Sequence, residues 1–307
     1  MPKDFISLAD WSADDLQALL DRAREFKELD RKGERPPSLR GRVLAMFFEK
    51  PSLRTHVTFE AGMTQLGGHA ILLRPEQVGI GTRESPPDVA RNLSRWVDGL
   101  VARTFSHALV EELGAAAEIP VINGLTDLLH PCQVMADFQT VAERKPLREA
   151  VIAYVGDGNN MANSLLNGAA VLGLQLRLAT PASHRPESQV RTRADALAAG
   201  SGAQLSWTED PREAVRGADF VYTDVWTSMG QEDEAAARRA IFAPYQVNAQ
   251  LLAEAPEAWV LHCLPAHRGE EITDEVLDGD RSIVFDQAEN RLHAQKAILE
   301  RLLAHSA

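Results

Sequence analysis

Cysteine is scarce in this 307-residue sequence, which holds only Cys132 and Cys263. The chain has no C-x-x-C pair and no group of residues with the spacing of zinc ligands. Disulfide-stabilised domains and structural zinc sites depend on such patterns. We therefore expect neither a disulfide scaffold nor a structural zinc site.

Long hydrophobic runs and an excess of positive charge are also missing. No apolar run approaches the roughly 18 residues of a membrane-spanning helix, and the first residues, MPKDFISLAD, lack the apolar core of a signal peptide. Acidic residues outnumber basic ones 44 to 32, so the net charge is −12. Since nucleic-acid binding needs a basic patch, we expect a cytoplasmic protein that binds neither membranes nor nucleic acids.

Lysine is rare among the basic residues: 6 of the 32 are lysine and 26 are arginine. Genomic base composition or a thermal preference explains such a bias in most chains. The alternative is that some arginines bind an anion, because a guanidinium grips a phosphate through two parallel hydrogen bonds.

Short apolar runs alternate with segments of helical periodicity along the whole chain. This alternation predicts βαβ units, and hence an α/β fold of parallel sheets with helices on both faces. At roughly 150 residues per domain, the length predicts two domains. The predicted strands cover residues 42–49, 69–73, 98–104, 119–124, 150–156, 174–180, 203–207, 219–226, 258–265 and 282–286.

A domain boundary is predicted where a long helical segment, residues 130–146, ends in Lys-Pro before a new strand. Residues 1–146 would form the first domain and residues 147–287 the second. Residues 288–307 read as an amphipathic helix that returns to pack on the first domain. Near the other end, Ser12 is a plausible cap for a helix that follows it.

Polar donors follow three strands of the first half, at the edge where parallel sheets bind ligands. Each residue alone has an ordinary explanation, such as a Ser/Thr helix cap, an exposed arginine or a packed histidine. Their convergence favours a small anion, most simply a phosphate, held at helix starts. The residues are Ser52, Arg54 and Thr55 after the first strand, Arg103 after the third, and His130 and Gln133 after the fourth.

The second half contains a partial dinucleotide motif, with Gly156 and Gly158 but Met161 where a third glycine belongs. The next strand does not end in the acidic residue that would hold a ribose, which disfavours a nicotinamide-dependent dehydrogenase. Asn159 and Asn160 suit a polar small molecule better.

Two further strand ends of the second half carry groups that suit an amine. Asp224 either pairs with a substrate ammonium group or caps a helix. Cys263, in the run WVLHCLP, is a small buried residue unless its neighbours give it a role.

Taken together, six ordered motifs resemble the aspartate/ornithine carbamoyltransferase family from end to end. Four of them are FEKPSLRT, VARTFSH, HPCQ and the ENR that contains Arg291. The other two, DVWTSMG and HCLPAHRGEE, resemble the ornithine branch of that family. The resemblance implies two α/β domains, a trimer with active sites at subunit interfaces, and no metal or cofactor.

The resemblance also implies roles for particular residues. The phosphate of carbamoyl phosphate would be held by Ser52, Leu53 through its backbone, Arg54 and Thr55. Its carbonyl side would be held by Arg103, His130 and Gln133, with Arg291 and the backbone of Cys263 and Leu264 nearby. L-Ornithine would be held by Asn160, Asp224, Ser228 and Met229.

The implied reaction is attack of the neutral δ-amine of L-ornithine on carbamoyl phosphate, giving L-citrulline and phosphate. Arg54, Arg103, His130, Asp224 and Cys263 are the implied catalytic residues, and either Asp224 or Cys263 would orient or deprotonate the amine. Alternatives are a carbamoyltransferase for putrescine or an N-acylated ornithine, the dehydrogenase, and a non-catalytic relative. The motifs fit both arginine synthesis and arginine degradation.

Two positions depart from the family pattern. His56 stands where the ornithine branch commonly has a second arginine. Gly79 stands where relatives carry a Gln or His that reaches the carbamoyl phosphate of a neighbouring subunit. Gln77 would replace that side chain if the loop shifted.

Overall fold

The structure, a computed structural model, describes residues 2–227, 230 and 232–304. The chain divides into two compact units. Unit 1 comprises Met1–Gln139 and Glu289–Ala307, and unit 2 comprises Thr140–Ala288. Each unit contains one parallel sheet flanked by helices, so the predicted fold class is confirmed.

The sheet of unit 1 has the strand order β2-β1-β3-β4, with every neighbouring pair parallel. Its strands are β1 (Val43–Phe48), β2 (His69–Leu73), β3 (Gly99–Arg103) and β4 (Val121–Leu125). The strands β1 and β3 form the centre of the sheet and are almost wholly buried. This is why their sequences, VLAMFF and GLVAR, are continuous rather than alternating apolar runs.

Among the described residues, six α-helices begin before Thr140, where unit 2 starts. They are α1 (Ala13–Arg31), α2 (Leu53–Gln65), α3 (Pro75–Val78), α4 (Pro86–Leu93), α5 (His107–Ala116) and α6 (Pro131–Ala142). Helix α1 begins as its sequence predicts, because the hydroxyl of Ser12 accepts a hydrogen bond from the backbone N–H of Asp15.

The C-terminal helix α13 (Val284–Leu303) packs within unit 1 from Glu289 onward, as predicted. Its buried apolar face includes Ala297, Ile298 and Leu302. Polar contacts fix its position: the ammonium of Lys27 donates to the side chain of Asn290 at 2.8 Å.

The sheet of unit 2 has the strand order β7-β6-β5-β8-β9, again all parallel. Its strands are β5 (Val151–Val155), β6 (Gln175–Ala179), β7 (Gln204–Thr208), β8 (Phe220–Thr223) and β9 (Trp259–His262). Its helices are α7 (Asn160–Leu172), α8 (Ser188–Ser201), α9 (Pro211–Val215), α10 (Ala235–Phe242), α11 (Ala249–Leu252) and α12 (Asp274–Leu277). Short 3₁₀ helices cover Leu8–Asp10, Leu147–Glu149, Ala182–His184, Glu232–Glu234 and Ala243–Tyr245.

The predicted strand at residues 282–286 is wrong. The chain pairs with β9 only briefly, through hydrogen bonds of Val260 with Arg281 and Ile283, and then enters α13 at Val284. The apolar run IVF is too short to decide between a strand and a helix. The third residue of the run, Phe285, is 71% exposed, which a buried central strand would not allow.

The strand orders reverse direction at one point in each sheet. In unit 1 the chain passes from β1 outward to β2 and then back to β3, and in unit 2 it passes from β5 through β6 and β7 and back to β8. Ligands of parallel α/β sheets bind beyond the carboxyl ends of the strands at such a point. The residues that follow these strands are therefore the first place to look for a site.

Among the helices that the structure describes, none combines the length and the apolar character needed to cross a bilayer.

Candidate active site

The first site lies in unit 1, where α2 begins after β1. Ser52 caps this helix: its hydroxyl accepts a hydrogen bond from the backbone N–H of Thr55 at 3.2 Å. The cap therefore fixes the first turn, whose backbone N–H groups and positive dipole end favour an anion. Leu53 and Arg54 belong to that turn.

Thr55 is the residue on which two cations of unit 1 converge. Its hydroxyl oxygen, fully buried, accepts from Nη2 of Arg291 at 2.7 Å and lies 3.4 Å from Nη1 of Arg103. Arg103 comes from the end of β3 and Arg291 from α13. The structure thus brings together three side chains that lie far apart in the sequence.

Gln133 orients Arg291 from the other side. Its side-chain oxygen accepts from Nη1 of Arg291 at 2.7 Å, and its amide nitrogen donates to Asp137 at 2.8 Å. Because Asp137 fixes which end of the amide faces Arg291, the guanidinium is held between Gln133 and Thr55.

His130 lies in the same region, at the start of α6, and is almost fully buried. Burial lowers its pKa well below the ordinary value of 6.5, and the positive charges of Arg291, Arg103 and Arg54 lower it further. The ring is therefore neutral at pH 7. A neutral imidazole carries one N–H, which can donate to an uncharged carbonyl oxygen.

The charges and hydrogen-bond donors of these residues suit an anion. Arg103 and Arg291 are 6% and 2% exposed, so their charges act in a poorly hydrated environment where electrostatic interactions are strong. A phosphate placed there would offset their mutual repulsion. We call Ser52, Arg54, Thr55, Arg103, His130, Gln133 and Arg291 the anion cluster.

The two departures from the family pattern have local explanations. His56 turns toward its own helix, with Nε2 at 3.1 Å from the carboxylate of Glu60. Gln77 accepts a hydrogen bond from the backbone N–H of Arg74, so it caps its own short helix. Gly79 adopts a φ of 65°, and a methyl group there would lie 2.8 Å from Cβ of Arg83, so a side chain at position 79 would be strained.

The second site lies in unit 2, around the buried carboxylate of Asp224. One carboxylate oxygen accepts from the amide of Asn159 at 2.8 Å, and the other from the thiol of Cys263 at 2.9 Å. The side-chain oxygen of Asn159 in turn caps α7 by accepting from Met161 and Ala162. A carboxylate held in this way suits an ammonium group.

The sequence analysis singled out both Asn159 and Asn160, and the resemblance assigned Asn160 to L-ornithine; in the structure Asn159 contacts Asp224. Asn160 begins α7 and is half-buried. Ser228 and Met229 lie outside the described residues. Leu264 has a φ of 57°, and its backbone N–H donates to Nδ1 of His262 at 2.8 Å. Its carbonyl oxygen is therefore the backbone group with which it would bind a ligand.

Asp157 and Arg238 form a buried ion pair that the sequence analysis missed. Burial raises the pKa of Asp157 to about 7, with Arg238 opposing the rise and Asp224 adding to it. The position of Asp157 directly after β5 was a usable signal. Nothing in the sequence marked Arg238, which lies in the middle of α10.

The dinucleotide alternative fails on steric grounds. A methyl group on Gly158 would lie 2.3 to 2.4 Å from backbone atoms of His184, Arg185 and Pro186. The backbone N–H of Gly158 also donates to the carbonyl of His184. The glycine therefore makes room for this loop and not for a pyrophosphate.

Two groups of described side chains have the composition of metal ligands. In the first, Asp224, His262 and Cys263, both ring nitrogens of His262 already make hydrogen bonds, to Leu264 and to Glu271. In the second, His267, Glu270 and Glu271, the Glu271 carboxylate already accepts from two residues. A metal ligated by His262 in the first group would have to displace one of these bonds, whereas in the second group both bonds end on the same oxygen of Glu271.

Comparison with known proteins gives one consistent result. The aspartate/ornithine carbamoyltransferase family matches twice: its carbamoyl-P binding domain over residues 3–143 and its Asp/Orn binding domain over residues 148–302. The chain is 51% identical to the ornithine carbamoyltransferase of Syntrophotalea carbinolica, over 99% of this chain and 100% of that protein.

Two further relatives agree. The anabolic ornithine carbamoyltransferase of Pseudomonas aeruginosa is 51% identical, over 99% of this chain and 98% of that protein. The solved structure of ornithine carbamoyltransferase from Pyrococcus furiosus is similar with a TM-score of 0.96 and 46% identity, covering 99% of this chain and 98% of that one.

The anion cluster can be tested with inorganic phosphate as the probe. We expect Arg291→Gln to weaken phosphate binding, measured by isothermal titration calorimetry, by about tenfold or more, because a charge-assisted hydrogen bond contributes roughly 1.5–3 kcal/mol. Arg301→Gln is the matched control, since Arg301 lies on the same helix and pairs with Asp15 instead. Equal phosphate affinity in wild type and Arg291→Gln would contradict the assignment.

Proposed function

The chain belongs to the aspartate/ornithine carbamoyltransferase family, and we propose that it transfers the carbamoyl group of carbamoyl phosphate to the δ-amine of L-ornithine. The products are L-citrulline and phosphate. The observation that carries the proposal is the anion cluster, in which Arg103 and Arg291 converge on Thr55 beside a neutral His130. The name anabolic, borne by the Pseudomonas aeruginosa relative, supports citrulline formation as the net direction.

In this proposal each domain binds one substrate. Residues 1–146, with the terminal helix 288–307, bind carbamoyl phosphate, and residues 147–287 bind L-ornithine. The two family matches support this division, since one is described as a carbamoyl-P binding domain and the other as an Asp/Orn binding domain.

The phosphate would lie against the first turn of α2. The backbone N–H groups of that turn, with Ser52, Leu53 and Thr55, supply donors, and the guanidinium of Arg54 supplies charge. The fixed Ser52 cap supports this role, because it holds the turn in place before a ligand arrives.

The carbonyl oxygen of carbamoyl phosphate gains negative charge as the tetrahedral intermediate forms. Arg103 and His130 are the proposed donors to that oxygen, with Gln133 holding Arg291 nearby. Donors that are fixed before the reaction contribute most, and removing one costs about 3–4 kcal/mol of transition-state stabilisation. The low pKa of His130 supports this role, because a neutral ring donates its N–H without adding another positive charge beside the arginines.

L-Ornithine would be held by Asn160, Asp224, Ser228 and Met229. The buried carboxylate of Asp224 favours a positively charged amine, and Asn159 fixes its orientation. The amine of ornithine, with a pKa near that of lysine at about 10, must lose a proton before attack. Since Cys263 donates its S–H to Asp224, Asp224 is the better acceptor for that proton and Cys263 orients it.

We also propose that the protein works as a trimer in the cytoplasm. Exposed apolar side chains of unit 1 support an assembly: Leu53 and Val57 lie one turn apart on α2, and Ile71 lies on the edge strand β2. Both cysteines are free thiols, as is usual in reducing compartments.

The activity is tested by a citrulline-forming assay with carbamoyl phosphate and a panel of L-ornithine, putrescine and N-acetyl-L-ornithine. We expect turnover with L-ornithine alone. Arg54→Ala should lower kcat/KM by at least about a thousandfold without unfolding the protein, because it removes the positive charge that stabilises the phosphate as it leaves. Arg31→Ala, an exposed arginine at the end of α1, is the control. Near-normal citrulline formation by Arg54→Ala would contradict the site, and preference for another amine would contradict the substrate.

The assembly is tested by sedimentation velocity. We expect the wild-type protein to sediment as three chains of 33.7 kDa or a multiple of three. Val57→Glu should shift the mass toward a single chain, because it buries a charge in the proposed contact. Ile241→Glu, a similar change at an exposed apolar residue of unit 2, should not. A monomeric wild-type protein would contradict the trimer.

A further inference from the structure

We propose that Arg238 is a positioning residue for the amino-acid substrate: it ties the stretch 224–227, which leads into Ser228 and Met229, to the turn that carries Asn159 and Asn160. The inference rests on the proposed function, since it assumes that these two segments bind L-ornithine.

The contacts of Arg238 join three elements of unit 2. From α10, its Nε donates to the backbone carbonyl of Trp226, and its Nη2 donates to the carboxylate of Asp157. The side chain is about 6% exposed. Its guanidinium also faces the ring of Phe242 at 5.2 Å, and Phe242 stacks on Trp226 at a centroid distance of 6.0 Å.

The carbonyl of Trp226 is well placed for this role. It lies two residues after Asp224 and two residues before Ser228, so a bond to it restrains the backbone between two proposed ornithine contacts. A guanidinium donates in a fixed planar arrangement, and a lysine ammonium does not reproduce that arrangement. Arg238 therefore fixes both the position and the orientation of the backbone at Trp226.

Asp157 is the second residue that Arg238 binds, after Trp226. It lies two residues before Asn159, and the hydroxyl of Tyr154 donates to its backbone carbonyl at 2.8 Å and lies 3.3 Å from the side-chain oxygen of Asn159. Arg238 therefore restrains the two segments that present Asn159 and Asp224 to each other. Its positive charge also stabilises the ionised form of Asp157 against burial.

The test compares the steady-state kinetics of the wild type and four variants, with L-ornithine varied at saturating carbamoyl phosphate and carbamoyl phosphate varied at saturating L-ornithine. Arg238→Met removes the hydrogen bonds to Trp226 and Asp157, and Arg238→Lys keeps the positive charge but not the planar pair of donors. The double variant Arg238→Met with Asp157→Asn removes both charges, so that no unpaired buried carboxylate remains to unfold the protein. Arg239→Met is the matched control, because Arg239 is the next residue of the same helix, is exposed, and lies 3.5 Å from Glu270.

We expect Arg238→Met and the double variant to raise the KM for L-ornithine by about tenfold or more, since small misplacements of binding groups have large effects. The inhibition constant of L-norvaline, which is ornithine without its δ-amine, should rise in parallel. The KM for carbamoyl phosphate should stay within about twofold, Arg238→Lys should recover part of the loss, and Arg239→Met should match wild type.

Two outcomes would overturn the inference. One is a folded Arg238→Met or double variant with the wild-type KM for L-ornithine. The other is an equal loss for both substrates, which a merely structural role would produce. A wild-type protein that forms no citrulline would contradict the proposed function instead, so the two failures are distinguishable.

Discussion

The burial of two guanidinium groups on one hydroxyl is the constraint on which the site of unit 1 depends. Arg103 and Arg291 meet at Thr55 with little access to water, so their charges are weakly screened and repel each other. Burial lowers the pKa of His130 and the same positive field lowers it further, so the ring is neutral, and the field also favours a bound anion. The arrangement suits a doubly charged phosphate even in a chain of net charge −12, because attraction depends on the local arrangement of charges and not on the total charge.

The surrounding fold offsets the free-energy cost of burying these two guanidinium groups. Arg291 comes from the last helix of the chain, which unit 1 holds through its apolar face and through Lys27 on Asn290, the residue next to Arg291. Gln133, itself fixed by Asp137, holds the guanidinium from the opposite side. Unit 2 uses the same principle with the opposite sign, since the carboxylate of Asp224 is buried and its two oxygens are held by Asn159 and Cys263.

The sequence predicts well those structural features that depend only on nearby residues. The predicted Ser12 cap depends on a few neighbouring residues and is confirmed, and Ser52 caps α2 in the same way. The strand prediction for residues 282–286 was wrong because three apolar residues fit a strand and a helix equally well. Tertiary packing selected the helix. Arg238 could not be found in the sequence, because its importance comes from partners 12 and 81 positions away. Within unit 1, the convergence of Thr55, Arg103 and Arg291 was predictable only in outline, from the rule that parallel strands present their carboxyl ends at one edge.

The ionisation state of His130 tests this electrostatic account most directly. In protein labelled with ¹⁵N-histidine, the ring signals of His130, identified by their loss in His130→Gln, report which nitrogens carry protons. Because the folded-state pKa lies well below 6.5, the ring should keep a single proton from pH 8 down through 6, and should gain a second only at distinctly lower pH. A ring that titrates near 6.5, or that is doubly protonated at pH 7, would contradict the account.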